Sequence, residues 1–213
     1  MRPSPLCASK HPCGGPFGRR ACQQCTAPPM LILRPTETLF AVEDGQSLTF
    51  ADRSFDAVVC NVGLMYFPDP AQGLSEFHRV LRPGGRSAVS VLTTPKCSAV
   101  ARVLVIIARH VPARTAEAEQ QFALGSEQRL RSLFKEAGFR EVQTTTETFR
   151  FTYPSFDAFF GGVERGAGSV GQEYMALPEN LRHLVREETR RDVRDQGGAI
   201  EVDVKVRYGS GRR

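Results

Sequence analysis

No stretch of this 213-residue chain reaches the roughly 18–20 consecutive apolar residues that a membrane-crossing helix needs. The most apolar run, Val103 to Ala108, lies between Arg102 and Arg109 and is too short. The first residues also lack the continuous apolar core of a secretory signal. Acidic residues are absent before Glu37, a feature shared with mitochondrial presequences, but the Pro and Gly content there argues against an amphipathic helix. A cytoplasmic protein without a membrane span is the expectation. Charge of one sign is missing too, once it is located. Of the formal +5, residues 1–42 hold +4, from Arg2, Lys10, Arg19, Arg20 and Arg34 against Glu37. The remainder is almost neutral, so no nucleic-acid partner is expected.

A second tight cysteine pair is likewise lacking. Cys7, Cys13, Cys22 and Cys25 crowd the start of the chain, but only Cys22 and Cys25 form a CxxC. A tetrahedral zinc site ordinarily draws on two such pairs, so no metal is expected. Cys60 ends an apolar run and reads as a small hydrophobe, whereas Cys97 lies in more polar surroundings.

Residues 1–37 are rich in Pro, Gly and Cys and show neither a two-residue nor a 3.6-residue period, which predicts a disordered tail. Residues 38–213 read as one α/β domain. Thr38 to Glu43 can form a short strand ended by Asp44-Gly45. Phe55 to Cys60 is β-branched and aromatic, the pattern of a parallel strand buried on both faces. Pro68-Asp69-Pro70 starts a helix over Ala71 to Leu81, with Leu74, Phe77, Val80 and Leu81 on one stripe. Pro83-Gly84-Gly85 stops it, and Arg86 to Leu92 returns as a second strand parallel to the first. Ser98 caps an apolar helix to His110, and Ser126 caps another that ends at Gly138. A strand over Phe139–Phe151, a short helix over Pro154–Gly162, a charged helix from Pro178 to about Asp195 and a strand over Ala199–Tyr208 complete the chain.

The phrases Glu43-Asp44-Gly45-Gln46-Ser47-Leu48-Thr49-Phe50, Phe55-Asp56 and Arg79-Val80-Leu81-Arg82-Pro83-Gly84-Gly85, at these spacings, resemble the class I S-adenosylmethionine-dependent methyltransferases. The likeness is to the methyltransferase type 11 group, around the ubiquinone/menaquinone-biosynthesis methylases. The resemblance implies a Rossmann-like, mostly parallel sheet with flanking helices, S-adenosylmethionine as cofactor, and methyl transfer to a small-molecule acceptor. It also implies where the cofactor would lie. Asp44 would accept from the adenine amino group, with Gly45 beside it and Leu48 over the ring. Asn61 and Val62, at the carboxyl end of Phe55–Cys60, would face the methionine part, and Gly63 would allow close backbone approach. Asp44 as a mere turn residue before Gly45 is the competing reading, and the accompanying phrases favour the adenine role. Segments at about 96–125 and 151–178 would cap the substrate. Methyl transfer mainly requires alignment of the nucleophile, so no catalytic triad is expected, and no catalytic residue is assigned; Tyr66 or His110 could assist an oxygen nucleophile. His78 lies too far along its helix for that task.

The glycine-rich turn of that family, after a first strand, is absent upstream of Glu43. Gly14-Gly15 has no strand leading into it and no helix following, so the domain reads as N-terminally truncated. The GxGxxG at Gly166-Ala167-Gly168-Ser169-Val170-Gly171 follows the core and is read as a flexible loop. The alternative to an enzyme is a non-catalytic or truncated remnant that acts through a protein partner.

Overall fold

A computed structural model describes residues 40–213; the tail at 1–37, its cysteines and the start of the expected strand at Thr38 lie outside the described residues. Residues 40–43 belong to no strand, in contrast to the expectation for Thr38–Glu43, and a turn at Gly45–Ser47 follows them. The elements are β1 (Phe55–Asn61), α1 (Pro70–Val80), β2 (Leu81–Leu92), α2 (Ala99–His110), α3 (Thr115–Gln120), α4 (Glu127–Glu136), β3 (Arg140–Tyr153), α5 (Phe156–Glu164), α6 (Gly168–Met175), α7 (Glu179–Asp192) and β4 (Ile200–Arg212).

The sheet order is β1-β2-β4-β3. β1 and β2 are parallel, as the strand–helix–strand pattern requires, while β4 runs antiparallel to both β2 and β3. Three of the four strands thus point the same way, in a Rossmann-like α/β arrangement. Its helix caps follow from sequence. Asp69 accepts from the backbone N–H groups of Ala71 and Gln72, with Pro70 at the first helical position; Ser98, Ser126 and Ser155 cap α2, α4 and α5 in the same manner. The helix α1 ends at Val80, earlier than Pro83-Gly84-Gly85 suggested, because Leu81 is already extended and pairs with Phe55. The glycines instead loop out of the strand: pairing jumps from Phe55↔Leu81 to Ala57↔Arg86, and Gly84 takes a φ of +85°.

Each face of the sheet carries its own apolar cluster. On one, Leu74, Phe77, Leu130, Leu133 and Phe134 from α1 and α4 pack on Leu81, Val89 and Val91. Gly209 and Gly211 let α4 lie flush here, since a Cβ at Gly209 would come within 2.9 Å of Leu130 and Phe134. On the other, α2, α5, α6 and α7 gather Val103, Ile107, Phe156, Phe160 and Val185 onto Ile200 and Val202. β1 departs from its expected two-sided burial. Val58 and Cys60 are half-buried against the first cluster, but Ala57 is exposed and Val59 is 74% exposed. β1 is also the outer strand, so among the described residues its second edge has no partner.

The Gly166–Gly171 stretch is not a loop, as was expected. α6 begins inside it at Gly168, while α5, rather than a strand, precedes it, so the match still lacks the strand of a dinucleotide site. No helix among the described residues is long and apolar enough to cross a membrane.

Candidate active site

The carboxyl end of β1 opens into a turn built on an unusual backbone. Val62, a β-branched residue, has a φ of +51°, in the left-handed region that such residues avoid. The neighbouring strand holds it there. Ser90 on β2, paired with Asn61 and 3% exposed, accepts at its Oγ from the Val62 N–H at 2.9 Å. The same hydroxyl donates to Asn61 Oδ1 at 2.6 Å. Asn61 is thereby turned so that its amide N–H groups have no partner among the described residues. Gly63 follows; a Cβ there would sit 2.9 Å from Cys60 Sγ, so its small size serves the packing of the turn. Burial raises the Cys60 thiol above its ordinary value, which keeps it protonated.

The turn at residues 44–47 is fixed to the same edge. Asp44 Oδ1 accepts from the Gln46 N–H at 2.9 Å, and the Asp44 carbonyl accepts from the Ser47 N–H at 2.9 Å. The second Asp44 carboxylate oxygen has no partner among the described residues. Gln46 Oε1 accepts from the Asp69 N–H at 2.6 Å, tying the turn to the start of α1. Gly45 lies directly on the Phe67 ring, where a Cβ would fall 2.2 Å from its nearest carbon. Asp44, Gly45 and Leu48 are thus joined through α1 and Phe67 to the loop that follows Asn61 and Val62.

What holds Leu48 is a pair of residues on α1 whose role sequence reading missed. Glu76 Oε2 accepts from the Leu48 N–H at 2.9 Å. Arg79 donates to Glu76 at 2.8 Å, to the Leu48 carbonyl at 2.8 Å, to the Phe50 carbonyl at 2.9 Å and to Asp52 at 2.6 Å. One guanidinium therefore gathers the whole segment 48–52 onto the helix. The Arg79 N–H groups hold the Glu76 carboxyl below the usual carboxylate range. Their i, i+3 spacing was the available signal. His78, beside this pair, packs edge-on against Phe139 at 5.1 Å, and burial pushes its pKa down.

Past Val62 the chain makes a short helical turn, Leu64–Tyr66, and a cavity of about 200 Å³ lies beyond it. Met65, Tyr66, Leu104, Ile107, Ala118 and Gln121 line it, with further contributions from Arg114 and from Ser169 and Glu173 on α6. The Tyr66 hydroxyl is 2.9 Å from Ser169 Oγ. His110, in contrast, is not at this cavity; its Nε2 pairs with Glu188 at 2.7 Å between α2 and α7. Among the described residues no group of three or more His, Cys, Asp or Glu side chains is placed to hold a metal ion.

A family model described as a methyltransferase domain matches residues 20–89. Over 56 residues the chain is 50% identical to a demethylmenaquinone methyltransferase of Bacteroides fragilis, covering 26% of this chain and 23% of that protein. It is 33% identical over 113 residues to a demethylmenaquinone methyltransferase of Deinococcus radiodurans, covering 47% of each. The match therefore spans about a quarter of the first of these relatives and about half of the second. Among solved structures, the YcgJ protein of Bacillus subtilis aligns with a TM-score of 0.46 at 17% identity, covering 79% of this chain and 68% of that one.

Proposed function

We propose that this chain, whose residues 20–89 match a methyltransferase-domain family model, binds S-adenosylmethionine at the carboxyl edge of β1 and β2 and transfers its methyl group to a small, largely apolar acceptor. The observation that carries the proposal is the shared edge. The turn with Asp44 and Gly45, tied through Gln46 to Asp69 at the start of α1, and the turn with Asn61 and Val62 both lie at this end of the strands, where open α/β sheets take their ligands.

The donor set fits the two ends of the cofactor. The uncommitted carboxylate oxygen of Asp44 suits an exocyclic amine, and the half-buried Leu48 offers an apolar surface for the flat face of a base. Gly45 keeps this turn against Phe67. Asn61 presents its amide N–H groups, held by Ser90, to an oxygen of the methionine part or of the acceptor. The described residues offer no glycine-rich turn and no acid after an earlier strand for the ribose, so they account for the cofactor's ends and not its middle. S-adenosylmethionine, when bound, supplies a sulfonium methyl that is already activated. What remains for the chain is to align the acceptor and to keep water out. The cavity beyond Tyr66 provides an acceptor space, lined from the two segments, 96–125 and 151–178, that are assigned to capping.

The comparisons do not favour a remnant that works only through a protein partner. Calorimetric titration of S-adenosylmethionine into the whole chain and into Asp44→Ala tests the proposal. Binding by the parent, weakened about tenfold or more in the variant, is expected for loss of a charged hydrogen bond. A folded parent that gives no heat of binding would refute it.

A further inference from the structure

The cavity beyond Tyr66 has one polar group without an assignment. Its apolar wall is made by Met65, Leu104, Ile107 and Ala118, none more than 6% exposed. Most of its polar residues are already engaged. Tyr66 and Ser169 bond each other, Arg114 pairs with Glu173 at 3.2 Å, and Gln120 donates to the Phe67 carbonyl at 3.3 Å. Gln121 differs. It is 7% exposed, it lines the cavity, and its side-chain amide has no partner among the described residues. An amide lining an apolar cavity is free to bond a polar group that enters it.

We infer that Gln121 is the specificity residue of a binding site for a compact, uncharged ring compound carrying one hydroxyl or carbonyl group. Size sets the first condition. An apolar cavity of about 150 Å³ accepts a benzene ring, so this one, at about 200 Å³, has room for a single ring. Charge sets the second. Arg114 and Glu173 neutralise each other, so neither a carboxylate nor an ammonium gains a counter-ion. The amide sets the third, since it both donates and accepts and can read a hydroxyl or a carbonyl. That this molecule is the methyl acceptor rests on the methyl-transfer reading above; that the site exists does not.

The test is titration of the whole chain, followed by NMR, with phenol, toluene and benzoate as probes. Toluene matches phenol in shape and is the more apolar, so a cavity without a polar reader would prefer it. The expected result is that the parent binds phenol about fivefold or more tighter than toluene, and binds benzoate least. In Gln121→Leu the order of phenol and toluene reverses. Gln121→Met supplies the same comparison if the leucine variant does not fold. A parent that prefers toluene or benzoate, or variants that keep the parent's order, would overturn the inference. None of these titrations contains S-adenosylmethionine. A chain that reads phenol through Gln121 but binds no cofactor would refute methyl transfer and leave this site standing, and the converse result would remove the site alone.

Discussion

The polar segments around Leu48 and Asn61 and the helical cluster around Phe160 are held by opposite kinds of force. These segments depend on directional hydrogen bonds to charged or buried polar groups: Arg79 and Glu76 clasp residues 48–52 along α1, and Ser90 fixes Asn61 and Val62 at the end of β1. The cluster depends on non-directional burial. Phe160 is fully buried, stacks on Phe156 at 5.3 Å and meets Tyr174 edge-on at 5.2 Å, while Arg186 lies over both phenylalanine rings. The difference teaches how labour is divided in the molecule. Apolar packing supplies stability, and polar clasps fix the positions proposed to bind the cofactor.

Four substitutions sharpen that division, beginning with the most costly. Phe160→Ala should lower unfolding free energy by about 3–5 kcal/mol in a urea titration, while cofactor affinity at saturating fold remains near the parent's. A large loss of affinity in the still-folded variant would mean that the two regions are not separable. Arg79→Ala should come next, with a Tm lower by on the order of 5 °C and cofactor binding weakened together, because residues 48–52 lose their common anchor.

The partner of Arg79 makes this clasp sensitive to acid. The Glu76 carboxyl is lowered in the folded chain, first by hydrogen bonds from Arg79. Its contribution is therefore complete at neutral pH and fades as pH falls from the ordinary carboxylate range through the lowered folded value. Glu76→Gln should be less stable than the parent at pH 7 and should lose less stability between pH 6 and pH 3. Parallel acid profiles for the two chains would count against the clasp.

Ser90→Ala should have the smallest effect on stability and a selective effect on binding. The Val62 N–H keeps the Ser90 carbonyl as acceptor at 3.1 Å, so the turn survives, but Asn61 is released. Affinity for S-adenosylmethionine should fall about fivefold to tenfold with little change in Tm, and Ser90→Thr should restore it. Equal affinities across all three chains would assign Ser90 a purely structural role.

Much of this division was legible before any coordinates. Ser98, Ser126 and Asp69 marked helix starts that the fold keeps, and the run Phe55–Cys60 with Pro83-Gly84-Gly85 announced a parallel crossover, because caps and strand patterns are local. The clasp was not legible, since Arg79 meets Leu48 and Asp52 only after the chain folds back across about thirty residues. Ser90 gave no sign of its task either: it looks like any strand serine until register places it opposite Asn61. Gln121 gained meaning only when helices from distant segments enclosed a cavity around it. Exposure of Val59 contradicts its apolar sequence for a related reason, since a strand's pattern describes the cover it suits and not the cover that the described residues provide.

The most direct test of the central claim is a two-dimensional amide NMR titration of the whole chain with S-adenosylmethionine. The polar-clasped edge predicts shifts concentrated at Gly45, Leu48, Asn61 and Val62, with Ala57, Val59 and Ala88 unchanged. Shifts centred on that open face of β1 and β2, or none anywhere in a well-dispersed spectrum, would contradict it.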